Sequence, residues 1–266
     1  MIDIKHKTPA IRVTSIPRLA QGGRWRVEAM RSYSANLLLW FTCGQGRITV
    51  SGTTSGYGAH NAIFIPSGVM HGFEVSTKVF GSAVFIPTEL GLPFPKERAH
   101  LRIRDTASQN EMTTILTNIN RELDGNLPER IRATHHHSGL LAVWLKRQLL
   151  LHMQDSKKPD AAQRLTSRFT QMIEEEYQSG MNITDYASAL GVSPTHLSRV
   201  CNLACGRPAS GLLHDRVIFE ARRLLRETKT PIRQVASQLG FTSPAYFTRS
   251  FQQHTGQTPS DFRRSG

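Results

Sequence analysis

The chain has 266 residues, of which 39% are hydrophobic and 20% charged, which is enough apolar material for one large domain or two modest ones. Its apolar runs, such as Leu37–Phe41 with five residues, are far shorter than the ~18 needed to cross a bilayer, and its first residues lack the apolar stretch of a secretory signal. Three cysteines exclude a disulfide framework and favour a cytoplasmic protein, and a net charge of +13 favours a polyanionic partner.

The first half of the sequence is typical of a strand-rich domain. A basic N-terminal segment, from Lys5 to Arg31, is predicted either to attract an anionic effector or DNA, or to form a solvated arm. Between residues 35 and 88, short apolar runs alternate with glycine and proline about every ten residues, as at Gly44–Gly46 and Pro66–Gly68. This pattern predicts a β-sandwich or barrel.

Two helices are predicted after the strands. Ser108–Glu111 has the sequence of a capping box, and apolar residues follow it at helical spacing. A second helix, at about 138–154, carries a wide apolar stripe that includes Leu140, Trp144 and Leu151. We predict that these three residues form a dimer interface, although core packing alone explains the same pattern.

A polar segment with a proline, Asp155–Asp160, separates the two halves of the sequence. We therefore predict an α+β protein with a first domain at 1–154, a linker at 155–162 and an all-helical domain at 163–266. Twelve of the 13 basic residues after residue 159 are arginine, the side chain best suited to bidentate contacts with phosphate and guanine.

The helical part contains a near-repeat in which the two copies lie 49 or 50 positions apart. The matched pairs are Ala187/Ala236, Gly191/Gly240, Ser193/Ser243, Leu197/Phe247, Arg199/Arg249, Cys201/Phe251 and Gly206/Gly256. In each copy the first glycine ends one helix, the serine caps the next helix, and the following apolar residue faces the core. This is the pattern of a helix-turn-helix, whose second helix enters a DNA major groove.

Two copies in register, followed by Gly256-Gln-Thr258-Pro259 and Phe262-Arg263, resemble the AraC/XylS family of bacterial transcription regulators. The resemblance covers about 165–264. It implies two homeodomain-like helix-turn-helix units joined by a long helix at about Ser210–Thr228, with each recognition helix in one of two successive major grooves of promoter DNA. It also implies an activator that acts with RNA polymerase and needs no cofactor.

The family's DNA contacts, transferred by position, imply eight contact residues: Ser193, Thr195, Ser198, Arg199, Ser243, Ala245, Thr248 and Arg249. Arg199 and Arg249 are expected to bind guanine, although a phosphate or a carboxylate is an alternative partner for either. Ala245 offers only a methyl group, which suits thymine.

Residues 62–73 resemble part of the cupin-like sensor domain that many members of the family carry. This implies a cupin-like β-barrel, a small-molecule effector and a homodimer, with Trp40, His71 and Phe73 as candidate effector-binding residues. Metal-binding cupins need a His-x-His pair with further ligands, which His71 lacks, so we predict no metal site and no catalytic residue. His71 is also explained as a hydrogen-bonding residue at the end of a strand.

The sequence is also compatible with two other kinds of function. The first is an enzyme, either a cupin-type catalyst or an alkyl-transfer DNA-repair protein, fused to the same DNA-binding domain. The absent metal ligands and the lack of a reactive cysteine motif argue against it. The second is a nucleoid-like protein that binds DNA without sequence preference, which competition between promoter fragments and bulk DNA distinguishes.

Overall fold

The computed structural model describes residues 11–152 and 158–265. Lys5, Lys7 and residues 155–157 of the predicted linker lie outside the described residues. The predicted α+β class is confirmed, with antiparallel sheets in the first half and helices in the second. In the described ranges, no helix is both long enough and apolar enough to cross a membrane.

The strands of the described residues form two antiparallel sheets. They are β1 (Arg12–Ser15), β2 (Asn36–Cys43), β3 (Gly46–Val50), β4 (Thr53–Tyr57), β5 (Asn61–Ile65), β6 (His71–Phe73), β7 (Phe80–Ile86) and β8 (Ala99–Arg102). The larger sheet has the order β1-β7-β2-β5-β8 and the smaller has the order β4-β3-β6. The apolar runs became β2, β3, β5, β6 and β7, whereas β1, β4 and β8 have too few apolar residues to predict.

Helices flank the sheets and make up the second half. They are α1 (Ile16–Leu19), α2 (Trp25–Glu28), α3 (Thr106–Asp124), α4 (Arg130–Leu151), α5 (Ala161–Glu176), α6 (Ile183–Ala189), α7 (Pro194–Cys205), α8 (Ala209–Glu227), α9 (Ile232–Gln238), α10 (Pro244–Thr255) and α11 (Pro259–Arg264). The Asp105 carboxylate accepts a hydrogen bond from the Ser108 backbone nitrogen at 2.7 Å, so Asp105 caps α3 rather than Ser108. The second helix, α4, begins eight residues before its predicted start.

Strand β2 separates two hydrophobic cores because side chains alternate across a sheet. Leu37, Leu39 and Phe41 pack between the two sheets. Leu38 and Trp40 pack on the other face, against α3 and α4. Burial on both faces explains why β2 is a continuous apolar run rather than an alternating one.

The predicted basic arm is partly a core element. Arg31 is fully buried, and its Nη1 donates to the Val27 carbonyl at 2.7 Å while its Nε donates to the Tyr33 hydroxyl at 2.8 Å. The Arg31 and His71 backbones exchange hydrogen bonds at 2.9 and 2.7 Å. Arg31 therefore joins the N-terminal segment to β6 and is not part of a solvated arm.

The long helix α8 spans two helical cores, and its bounds match the predicted helix to within one residue. The first core, with Phe169 and Tyr186, lies among α5, α6 and α7. The second core, with Phe247, Phe251 and Phe262, lies among α8, α9, α10 and α11. Each core is small, so each depends on a few large side chains.

Candidate nucleic-acid interface

The first helix-turn-helix consists of α6 and α7. Gly191 lies between them with φ of +69°, a left-handed conformation that strains any other residue type. The Ser193 hydroxyl accepts a hydrogen bond from the His196 backbone nitrogen at 3.2 Å and so caps α7. Ala187 and Leu197 are fully buried, which fixes α7 against α6.

The second helix-turn-helix, α9 and α10, repeats this geometry. Gly240 has φ of +76°, and the Ser243 hydroxyl accepts a hydrogen bond from the Tyr246 backbone nitrogen at 3.4 Å to cap α10. Ala236 and Phe247 are fully buried. The predicted repeat is therefore present in three dimensions as well as in sequence.

The two recognition helices, α7 and α10, also end alike. Gly206 and Gly256 follow them with φ of +70° and +75°. One turn before each helix end, Cys201 and Phe251 take the same fully buried position, so the first unit does have the smaller core residue. Burial, together with the neighbouring Cys205 thiol, raises the pKa of Cys201 to about 12, which keeps this thiol protonated.

The predicted DNA contacts lie on the outward faces of α7 and α10. Five of the eight are exposed, namely Ser193, Thr195, Arg199, Ala245 and Arg249, and the other three, Ser198, Ser243 and Thr248, are half-buried. The predicted contacts inside the helices match in exposure at positions 195/245, 198/248 and 199/249, so each helix presents an equivalent face. That these residues contact DNA stays a prediction.

Arg199 and Arg249 are available for an external partner. Neither arginine takes part in an ion pair with any carboxylate of residues 11–152 and 158–265. The Nη2 of Arg199 lies 3.2 Å from Nδ1 of His196, one turn earlier on α7. An unpaired guanidinium on a recognition helix has the donor geometry for O6 and N7 of guanine.

Two further residues share these faces although the sequence interpretation did not select them. His196 and Tyr246 are 50 positions apart, and the repeat register was the signal that identified them as equivalent. Tyr246 is 54% exposed, and its ring packs on Phe241 with centroids 5.8 Å apart. An imidazole and a phenol at these positions can both hydrogen-bond to a phosphate.

The three predicted effector residues do not line a common pocket. Trp40 faces the helices, where its ring centroid lies 6.3 Å from that of Trp144. Phe73 lies between the sheets, where its ring centroid is 6.1 Å from that of Phe41. These two residues belong to different cores, because Trp40 is on the face of the larger sheet that α3 and α4 cover, whereas Phe73 is on the face of the smaller sheet that packs against the larger one.

His71 has the hydrogen-bonding role at a strand end. Its Nδ1 lies 2.9 Å from the Val69 carbonyl oxygen, and the side chain is buried. Burial, and next the positive charge of Arg31, lower the pKa of His71 to about 3. Its imidazole is therefore neutral at physiological pH.

The predicted dimer residues separate into buried and exposed positions. Trp144 is fully buried, and its indole N–H donates to the Ser108 carbonyl at 3.2 Å. Its side chain is not accessible to a partner, so Trp144 is a core residue, which was the alternative to a dimer interface. Leu140 and Leu151 are 54% and 74% exposed. The sequence interpretation missed three further exposed apolar residues of α4, Ile131, Val143 and Leu150.

Comparisons with known proteins agree with the helical part of this structure. A family model described as a helix-turn-helix domain matches residues 186–265. The arabinose operon regulatory protein of Salmonella typhimurium is 30% identical over 146 residues, which are 53% of this chain and 52% of that protein. The match thus spans about half the length of this relative.

A shorter relative aligns with this chain over almost its whole length. The probable transcription factor PqrA of Proteus vulgaris is 31% identical over 107 residues, which are 40% of this chain and 88% of that protein. Among solved structures, ToxT of Vibrio cholerae O395 is 12% identical, with 96% of each chain covered and a TM-score of 0.43, a similarity too low for structural inference.

Proposed function

Because the chain belongs to the AraC/XylS family of transcriptional regulators, we propose that it binds specific promoter sequences through α7 and α10 and regulates transcription there. It acts as a homodimer in the cytoplasm, recruits RNA polymerase, and responds to a small-molecule effector through its N-terminal domain. The observation that carries the proposal is the pair of matched recognition helices, each with a serine cap and an outward arginine.

Direct contacts between the two halves support control of DNA binding by the N-terminal domain. The Trp25 ring of α2 packs against Phe219 of α8 and Phe262 of α11, with centroids 5.8 and 6.0 Å away. The Thr54 hydroxyl of β4 donates to the carbonyl of Cys205, the last residue of α7, at 3.3 Å. A shift of the N-terminal domain therefore acts on both helix-turn-helix units.

A footprint of the full-length chain on genomic fragments tests the proposal. Two protected major grooves about 34 Å apart are expected, on one side of the duplex. Affinity for the best fragment should exceed affinity for bulk DNA by more than ~10². A smaller ratio with uniform protection would indicate the nucleoid-like alternative.

Arg249→Ala is expected to weaken binding to the specific site by ~1–3 kcal/mol and to relax the preference at one base pair, because a bidentate guanine contact is lost. Arg168→Ala, an exposed arginine on α5, is the matched control and should change the affinity by less. Equal weakening on all sequences, with a shallower salt dependence, would instead assign Arg249 to a phosphate.

Leu140→Glu is expected to weaken self-association at least about tenfold, because it puts an unpaired carboxylate into the proposed apolar interface on α4. Sedimentation of the full-length chain over a range of concentrations measures this. Leu127→Glu changes a similarly exposed leucine outside α4 and should leave the self-association unchanged. If both variants behave alike, α4 is not the interface.

A further inference from the structure

A cleft of about 1150 Å³ opens where the loops of the two sheets converge. Its walls come from the β2–β3 turn at Gly44, the β4–β5 loop at Gly58, the β6–β7 loop at Lys78 and the segment from Arg102 to Arg104 after β8. No residue of α5 to α11 lines it. Its volume is somewhat above the ~300–1,000 Å³ of most small-molecule sites.

All the formal charges in this cleft are positive. Lys78, Arg102 and Arg104 line it, and its lining contains no aspartate or glutamate. Within the part of the chain that the structure describes, none of these three cations forms an ion pair. On the adjacent strand β3, by contrast, Arg47 pairs with Glu74. Positive charges without ion-pair partners in a concave site raise the local concentration of anions.

His60 lines the cleft with a strained backbone, and its ring packs towards Trp40 with centroids 5.9 Å apart. Its φ of +60° is strained for a residue other than glycine, and two hydrogen bonds hold its backbone there. Its N–H donates to the Phe41 carbonyl at 2.7 Å, and its carbonyl accepts from the Ile103 N–H at 2.9 Å. Its Nδ1 is buried and has no hydrogen-bond partner among the described residues. A strained residue beside an unsatisfied polar atom is typical of a binding site.

The floor of the cleft separates it from the core between the sheets. Tyr57 stacks on Phe41 with centroids 3.9 Å apart, and its hydroxyl donates to the Glu74 carbonyl. Because the space beneath is filled with side chains, a ligand is held at the mouth of the two sheets. There its acidic groups face a wall that carries the three cations.

We propose that this cleft binds a small molecule with two or more negative charges, such as a tricarboxylate or a phosphate ester. The concave shape and the absence of any lining residue from the helical half favour a small molecule over the DNA backbone. The idea that an anion in the cleft controls DNA binding rests on the proposed function. The idea that the cleft binds an anion is independent of that function.

Gly58 allows a matched pair of variants. A Cβ at Gly58 meets no atom within 4 Å, and its φ is outside the left-handed region, so a side chain fits there. Gly58→Glu places a carboxylate among the cations, whereas Gly58→Gln adds the same bulk without charge. Citrate, pyrophosphate and glucose 6-phosphate are titrated separately into the full-length chain and its variants by calorimetry, at about 20 and about 150 mM salt.

We expect at least one of the three probes to bind saturably, and more tightly at low salt. Gly58→Glu should weaken that binding about tenfold or more, and Gly58→Gln less than about threefold. No saturable binding of any probe, or equal losses in both variants, would overturn the proposal. So would a loss of affinity for a random DNA duplex in Gly58→Glu alone, since the cations would then contact DNA.

The footprint described above separates this inference from the proposed function. Specific DNA binding without anion binding would refute the proposed anion site but not the proposed role as a regulator. Anion binding without specific DNA binding would refute the role as a regulator but not the anion site.

Discussion

Phe251→Ala is expected to lower the free energy of unfolding of the second helix-turn-helix by ~3–5 kcal/mol, the usual cost of truncating a buried phenylalanine. The side chain is fully buried, and its ring lies 5.8 Å from Phe247 and 5.5 Å from Phe262, between centroids. The second core is small, so the cavity removes a large share of its packing. Denaturation of the full-length chain with urea, followed by circular dichroism, measures the loss.

Cys201→Ala is the matched control, because Cys201 holds the same position in the first unit. It removes one sulfur atom, so we expect a loss of about 1 kcal/mol or less. Phe251→Ala should also abolish the protection of one major groove in the footprint and leave the other. Similar losses for the two variants would contradict the view that the second unit depends on its larger core residue.

The helix-turn-helix repeat could be predicted because its determinants are local. A glycine with positive φ at Gly191 or Gly240, and a serine cap two or three residues later, are set by backbone conformation and short-range hydrogen bonds. The apolar residue that follows has to face inward once the cap fixes the helix. Fold class and recognition helices therefore follow from the residue pattern.

Packing partners could not be predicted in the same way. An apolar stripe on a helix indicates burial but not what covers it, so Trp144 was compatible with a dimer interface as well as with the core against Trp40. The contact of Trp25 with Phe262 joins residues more than 200 positions apart. The cleft likewise combines cations from separate loops, such as Lys78 and Arg104, whose proximity depends on the tertiary fold.

A buried ion network joins the long helix α8 to α5 and to the N-terminal domain. The Nε of Arg216 donates to both Glu174 oxygens at 3.0 and 2.9 Å, and its Nη1 donates to Glu220 at 3.3 Å. The Ser32 hydroxyl donates to the same Glu174 at 2.7 Å. The guanidinium also lies 3.8 Å from the ring centroid of Tyr177.

The charge of Arg216 is stabilised although its side chain is only 7% exposed. Burial alone lowers the pKa of Arg216, but Glu174, Tyr177 and Glu220 outweigh it and raise the pKa above its ordinary value. Burial raises the pKa of Glu220, and hydrogen bonds and charge from Arg223 and Arg216 more than reverse this, so its pKa is lowered. A carboxylate with a lowered pKa stabilises the fold at neutral pH and loses this contribution as the pH falls through that pKa.

Arg216→Met is therefore expected to cost ~3–5 kcal/mol at neutral pH, because Glu174 is left buried without its cation and Glu220 keeps only Arg223. The penalty should shrink as the pH falls through the lowered pKa of Glu220, because the intact network then loses the contribution of this carboxylate. Adding Glu174→Gln and Glu220→Gln to the same chain should recover most of the loss, since neutral side chains need no counter-charge. Urea unfolding at several pH values compares the three proteins. A pH-independent penalty that the triple variant does not relieve would mean that Arg216 stabilises α8 by packing on Tyr177 and not by its charge.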